Sequence, residues 1–299
     1  MAVDAAPHLA QLLDGWELFR DPILVGATSG AVLGVLGVFV VLRRMVFAAA
    51  ALTQAAGCGV ALAFFLEIHA GLAAGLAAPR AWSLGLTLLA TLALQWPGRR
   101  VVTRESLLAL AYMLGGGGAL LLGSRISQEA HDIQAILFGT GVVVDVADLT
   151  LVLGVGGLIA AWLAWWHRGF WFATLDPERA RVRGLPVAWL DLALLLMLAV
   201  YVSVTTRALG ALPVFAFSVL PAVGAIAVAS RPTVALGLAA ALGALAGGGG
   251  YVLAFLGGFP VGASQTVVAA GLVGVALAWR AAAASLGPRG PLAGARAQG

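Results

Sequence analysis

The chain has 299 residues, of which 62% are hydrophobic and only 10% charged, against roughly 45–50% and 25% in an ordinary soluble domain. So little charge cannot cover the surface of a water-soluble protein of this size, and the formal net charge of +4 is no sign of nucleic-acid binding, because all 17 basic residues are arginines set in short clusters between apolar runs. With no lysine anywhere, the glycine–lysine phosphate loop of nucleotide hydrolases is impossible.

The first twenty residues are acidic and broken by Asp4, Pro7, Asp14 and Glu17. They lack the basic start and apolar stretch of a cleavable signal peptide, and residues 1–21 read as an interfacial or periplasmic segment. From residue 22 to 280 the chain repeats apolar runs of about 20 residues, the length that crosses a hydrocarbon core ~30 Å thick. The predicted spans are 22–42, 47–67, 80–96, 106–123, 146–166, 189–206, 211–229, 233–256 and 263–280. The expected fold is therefore an all-α polytopic transmembrane bundle of eight or nine spans. The third span is the weakest, shortened by Arg80 and Trp82, and residues 133–144 are apolar but too short to cross, which suits a re-entrant or interfacial piece. Residues 281–299, rich in Gly, Ala and Pro, read as a disordered cytoplasmic tail.

Arginine asymmetry orients the spans. With the N-terminus outside and nine spans, 13 arginines face the cytoplasm, and only four, Arg20, Arg80, Arg125 and Arg207, face outward. In the first span Gly26, Gly30 and Gly34 recur every four residues on one face, a pattern that lets a second helix approach closely. Two four-glycine runs, Gly115–Gly118 and Gly247–Gly250, fall inside the fourth and eighth spans. They read as tight crossings, or else as backbone exposed to a substrate path.

Ionisable groups inside spans are functional candidates by default, and none of the 13 acidic residues falls clearly at mid-membrane. Asp145, Asp148 and Asp191 start spans, and Glu67 lies near an outer end beside His69. A proton- or sodium-driven pump needs an intramembrane carboxylate, so its absence points to energy supplied by a partner. The four histidines have no metal-ligand spacing, and the single Cys58 rules out an intrachain disulfide.

Between the fifth and sixth spans the segment 167–188 carries its own helix signals. Asp176 is an N-cap residue, Pro177 suits the first helical position and Glu178 complements the positive helix end. Gly184 can supply a left-handed C-terminal cap with Pro186 close behind, giving a helix from about 177 to 183 with Arg179 and Arg183 on one face. By spacing alone it is equally a docking element or a loop helix whose arginines fix topology. In the second span Ala50, Gln54 and Cys58 share one helix face. The Gln54 amide must bond a neighbouring helix or line a wet cavity.

The stretches GVFVVLRRM (37–45), GVALAF (59–64), RESLLALAYMLGGGGALLL (104–122), AILFG (135–139), LDPERARVRGLPV (175–187) and VLPA (219–222) resemble the membrane permeases of zinc- and manganese-type ABC importers, in family order over about residues 20–280. The resemblance implies a compact type II importer permease without cofactor or enzymatic activity of its own. It would work as a homo- or heterodimer with a separate ATPase and a periplasmic or lipoprotein substrate-binding protein in the inner membrane. It also implies that Asp176, Pro177, Glu178, Arg179, Arg183 and Gly184 belong to the coupling helix seated against that ATPase. One departure stands out: the aspartate and histidine that face the metal path in the family fall on Ala50 and Gln54, a following proline on Cys58, and the FGD pattern reads Phe138, Gly139, Thr140. The path expected along Ala50, Gln54 and Cys58 is thus neutral, with no metal site assigned. A divalent metal is the leading substrate, and a non-metal solute on the same architecture is the alternative. A secondary transporter is disfavoured by the missing carboxylates.

Overall fold

In a computed structural model, the described residues are 15–71, 78–95, 103–126 and 144–286. They form ten α-helices: α1 (Trp16–Leu42), α2 (Val46–Ala70), α3 (Pro79–Leu94), α4 (Arg104–Ile126), α5 (Val146–Leu175), α6 (Pro177–Val182), α7 (Val187–Leu209), α8 (Ala211–Val228), α9 (Pro232–Gly257) and α10 (Val261–Leu286). Eight of these are long and apolar enough to cross a membrane. The expected all-α polytopic bundle is what the chain forms. The re-entrant piece, the Phe138–Gly139–Thr140 departure, His8 and His131 lie outside the described residues.

The ninth crossing is α3, with 16 residues, about 24 Å long at 1.5 Å per residue. That falls short of a full hydrocarbon core, yet its neighbours require it to cross. Helices α2 and α4 run side by side in the same direction: Phe47 meets Tyr112 with ring centroids 5.8 Å apart, Gly115 lies against Gln54 and Gly118 against Cys58. The chain joining two parallel helices has to return, and α3 is that return. Nine passes then place the start of α1 and the end of α10 on opposite sides.

Helix α1 starts at Trp16, six residues before the apolar run. Its first turn is built by Leu18 and Phe19 N–H groups donating to the Gly15 carbonyl, with Glu17 at the positive end. At the other end of the chain α10 continues through alanines to Leu286, because alanine is the best helix former.

Helix α1 is the centre of the fold, with Val25, Leu33, Leu36, Val38, Phe39 and Val40 buried. Its four-residue glycine stripe meets α9 backbone to backbone, Gly26 opposite Gly247, Gly30 opposite Gly243 and Gly34 opposite Ala239. A methyl group on Gly30 would run into the Gly243 carbonyl, and the reverse is equally true. Lipid tails offer no hydrophobic drive to bring helices together, so close backbone approach and dispersion supply the association. Both four-glycine runs sit in uninterrupted helices. Gly115 and Gly118 pack closely on α2, and Gly247 and Gly250 pack closely on α1 and α10.

Candidate coupling element and translocation path

The loop helix α6 folds as its sequence signals require. The Asp176 side chain accepts the Arg179 N–H at 3.0 Å and also pairs with the Arg179 guanidinium at 3.2 Å. Pro177 opens the helix, and Gly184 closes it at φ +77°. The Leu185 N–H donates to the Ala180 carbonyl at 3.0 Å and the Gly184 N–H to Arg181 at 2.9 Å, the paired bonds of a Schellman cap. Regular helix ends at Val182, one residue short of the reading, because Arg183 is the cap. Ala180 is fully buried, and the Arg183 guanidinium lies 5.1 Å from the Phe172 ring centroid. This folds α6 back onto α5. Arg179, Arg181, Arg183 and Val182 remain exposed, a basic surface around one apolar side chain.

Next to α6 a polar junction ties three helix ends together. Arg43, the C-cap of α1, donates through Nε to Thr174 Oγ1 at 2.9 Å and through Nη1 to Asp191. Its side chain is 7% exposed while Asp191 is 43% exposed. Burial lowers the Arg43 pKa, and the Asp191 carboxylate opposes that shift by charge and hydrogen bond. At the opposite end of the bundle Asp148 is buried and accepts from Arg80 at 2.7 and 3.1 Å and from Arg207 at 3.4 Å, joining α3, α5 and α7. The two junctions sort these charges to the same ends as the arginine asymmetry does, with Arg43 at the arginine-rich end and Arg80 and Arg207 at the other.

Ala50, Gln54 and Cys58 do share a face of α2, and the structure sets Gln54 and Cys58 against the glycine run of α4. Ala50 is buried, whereas Gln54 and Cys58 are half-buried. A Cβ on Gly115 would sit 2.7 Å from the Gln54 backbone, one on Gly116 would sit 3.2 Å from Gln54 Oε1, and one on Gly118 would sit 2.8 Å from Cys58 Sγ. Two features read separately in the sequence therefore belong to one neutral seam. Among the described residues no group of three or more His, Cys, Asp or Glu side chains comes together. His69 stacks on Phe65, ring centroids 4.5 Å apart.

Sequence reading passed over the partners of these charges. Arg43, Arg80 and Arg207 served only as topology markers, and Asp148 and Asp191 only as span starts. The available signal was that both members of each pair were assigned to one side of the membrane. Gln265, fully buried between α1, α9 and α10 and donating to the Gly247 carbonyl at 2.9 Å, was missed as well. It stands alone in a small-residue span with no periodic signal.

Comparison with known proteins matches residues 16–280 to the ABC 3 transport family. The chain is 26% identical over 241 residues to the high-affinity zinc uptake system membrane protein of Haemophilus influenzae, covering 80% of this chain and 88% of that protein. It is 25% identical over 267 residues to the manganese transport system membrane protein of Halalkalibacterium halodurans, covering 89% and 88%. Among solved structures it matches PsaBC from Streptococcus pneumoniae in complex with Fab, with a TM-score of 0.77 at 23% identity over 90% of this chain and 95% of that one. At that identity the likeness speaks for the fold.

Proposed function

The chain belongs to the ABC 3 transport family, and from that membership we propose that it is the permease subunit of an ABC importer whose substrate is a divalent metal ion of the zinc, manganese or iron class. The observation that carries this reading is similarity over 80–89% of the chain to membrane proteins named for zinc uptake and for manganese transport. The non-metal alternative finds no support among these relatives and is not retained. The chain is a multi-pass membrane protein that contributes the path and not the chemistry of ATP hydrolysis.

A separate ATPase supplies the energy by docking on α6. The exposed arginines and Val182 of α6 offer a basic rim around an apolar anchor, which suits an acidic-edged cleft on the partner. A substrate-binding protein delivers the ion at the opposite end, and a second permease copy completes the path. Within the chain, the ion passes along the α2 face bearing Ala50, Gln54 and Cys58. Divalent ions of this class are normally held by carboxylate, imidazole or thiolate. An alanine and an amide provide one weak oxygen donor at most. A lone thiol adds one donor where a held ion takes four or more. The seam therefore passes the ion without holding it tightly.

The test is uptake. The chain is co-expressed with an ABC ATPase and a substrate-binding protein from the same genome in cells lacking their own zinc and manganese importers. Cell-associated zinc, manganese and iron are then measured by mass spectrometry. Accumulation of at least one of these metals, abolished when the ATPase is inactivated, is the expected result. Unchanged content of all three metals in a correctly assembled complex would overturn the proposal.

A further inference from the structure

Resting on the docking role proposed for α6, we propose that Arg43 is the positioning residue that carries movement of α6 to the foot of α2, the helix whose face borders the path.

Little slack surrounds α6. Thr174 lies two residues before its N-cap, and Asp191 lies in the opening turns of α7. Between them the chain is pinned throughout. The Asp176 N–H donates to Phe172, the Schellman pair closes the helix, the Val187 N–H donates to Leu185, and the Leu190 N–H donates to Pro186. A displacement of α6 therefore moves Thr174 and Asp191 together. Both are held by one guanidinium, through Nε and Nη1.

Arg43 is equally well pinned on its own side. Its N–H donates to the Phe39 carbonyl, Arg44 turns the chain at φ +57° with its N–H on Val41, and the Met45 N–H donates to Val40 at 2.8 Å. The Met45 carbonyl then accepts from Ala48 and Ala49 in the first turn of α2. Three residues separate α1 from α2, all of them fixed, so a shift of Arg43 is delivered to the start of α2 at Val46, four residues below Ala50 and eight below Gln54. The remaining Nη2 is buried and has no hydrogen-bond partner among the described residues. Direct packing of α7 on α2 is the competing route, and it does not pass through Arg43.

The experiment uses the permease reconstituted with its ATPase and binding protein in proteoliposomes. Manganese and zinc serve as separate probes, and ATP hydrolysed and metal delivered are measured together. The readout is metal delivered per ATP in complexes that have assembled. A purely structural contact would reduce the number of complexes and leave that ratio unchanged. Arg43→Gln and Asp191→Asn should each lower the ratio by ~5-fold or more, the low end of ordinary coupling between sites, and the double variant should be no worse than either single one. Thr174→Val keeps the charge pair and should show a smaller loss, which preserves the test if Arg43→Gln assembles poorly. A native ratio in assembled Arg43→Gln and Thr174→Val complexes would overturn the proposal, as would effects of Arg43→Gln and Asp191→Asn that multiply. A Glu178→Arg, Arg179→Glu variant is run alongside. If it assembles and turns over normally, the docking reading falls and this inference with it. If it fails to assemble while Arg43→Gln keeps the native ratio, only the role of Arg43 falls.

Discussion

The arginine-rich end of the bundle and its middle are built by different means. At the end around α6, short-range devices dominate: an N-cap, a first-turn proline, a Schellman glycine and a junction made by one arginine. In the middle there is almost no charge, and contacts such as Gly30 on Gly243 or Gly115 on Gln54 bring together residues far apart in sequence. The end has a fixed local shape suited to being pushed. The middle is a set of close-packed surfaces of small residues.

Substitutions can separate the two. The largest effect is expected in the middle, from Gly243→Val. Its side chain would meet the Gly30 backbone, and with main chain as the obstacle the cost should exceed ~3 kcal/mol, above the usual range for overpacking. Detergent-solubilised protein of this variant should lose its monodisperse peak in size-exclusion chromatography. Gly249→Ala, two turns away on the same helix and facing open space, should elute as the native chain does. Equal behaviour of the two would show that α9 does not rest on α1 in this way.

Accessibility sharpens the assignment of ends. On a Cys58→Ala background, Phe259→Cys and Val182→Cys each place a thiol at an exposed position, 60% and 89% exposed in the native residues. A membrane-impermeant thiol reagent applied to intact cells should label the first and spare the second. The reverse pattern would invert the topology and remove α6 from reach of a cytoplasmic ATPase.

A smaller, local effect is expected at Gly184, which sits at φ +77° with nothing around it to clash. Gly184→Val forces a β-branched residue into the left-handed region, a strain of roughly 1–3 kcal/mol. Folding of the nine crossings should be unaffected, while co-purification with the ATPase should fall several-fold. Native levels of co-purification would mean that the cap does not set the docking surface.

The same contrast explains what was legible in the sequence. Helix α6 could be read residue by residue, since Asp176, Pro177 and Gly184 act on their own neighbours. The apolar runs gave the bundle, and even the short α3 was found, although only the parallel packing of α2 on α4 makes its crossing necessary. The seam was not legible. Gln54 and Gly115 lie 61 positions apart, and nothing local tells either residue about the other. The arginine junctions were hidden for the same reason, each side chain looking like a topology marker until the fold supplied its carboxylate.

Metal binding to the purified permease tests most directly the proposed path along α2, which is to pass a metal without binding it tightly. Calorimetric titration with zinc and with manganese should give no micromolar binding to the native chain. An Ala50→Asp, Gln54→His double variant, which adds a carboxylate and an imidazole on one helix face, should acquire it. Micromolar binding by the native chain that is lost in Gln54→Leu or Cys58→Ala would contradict the account.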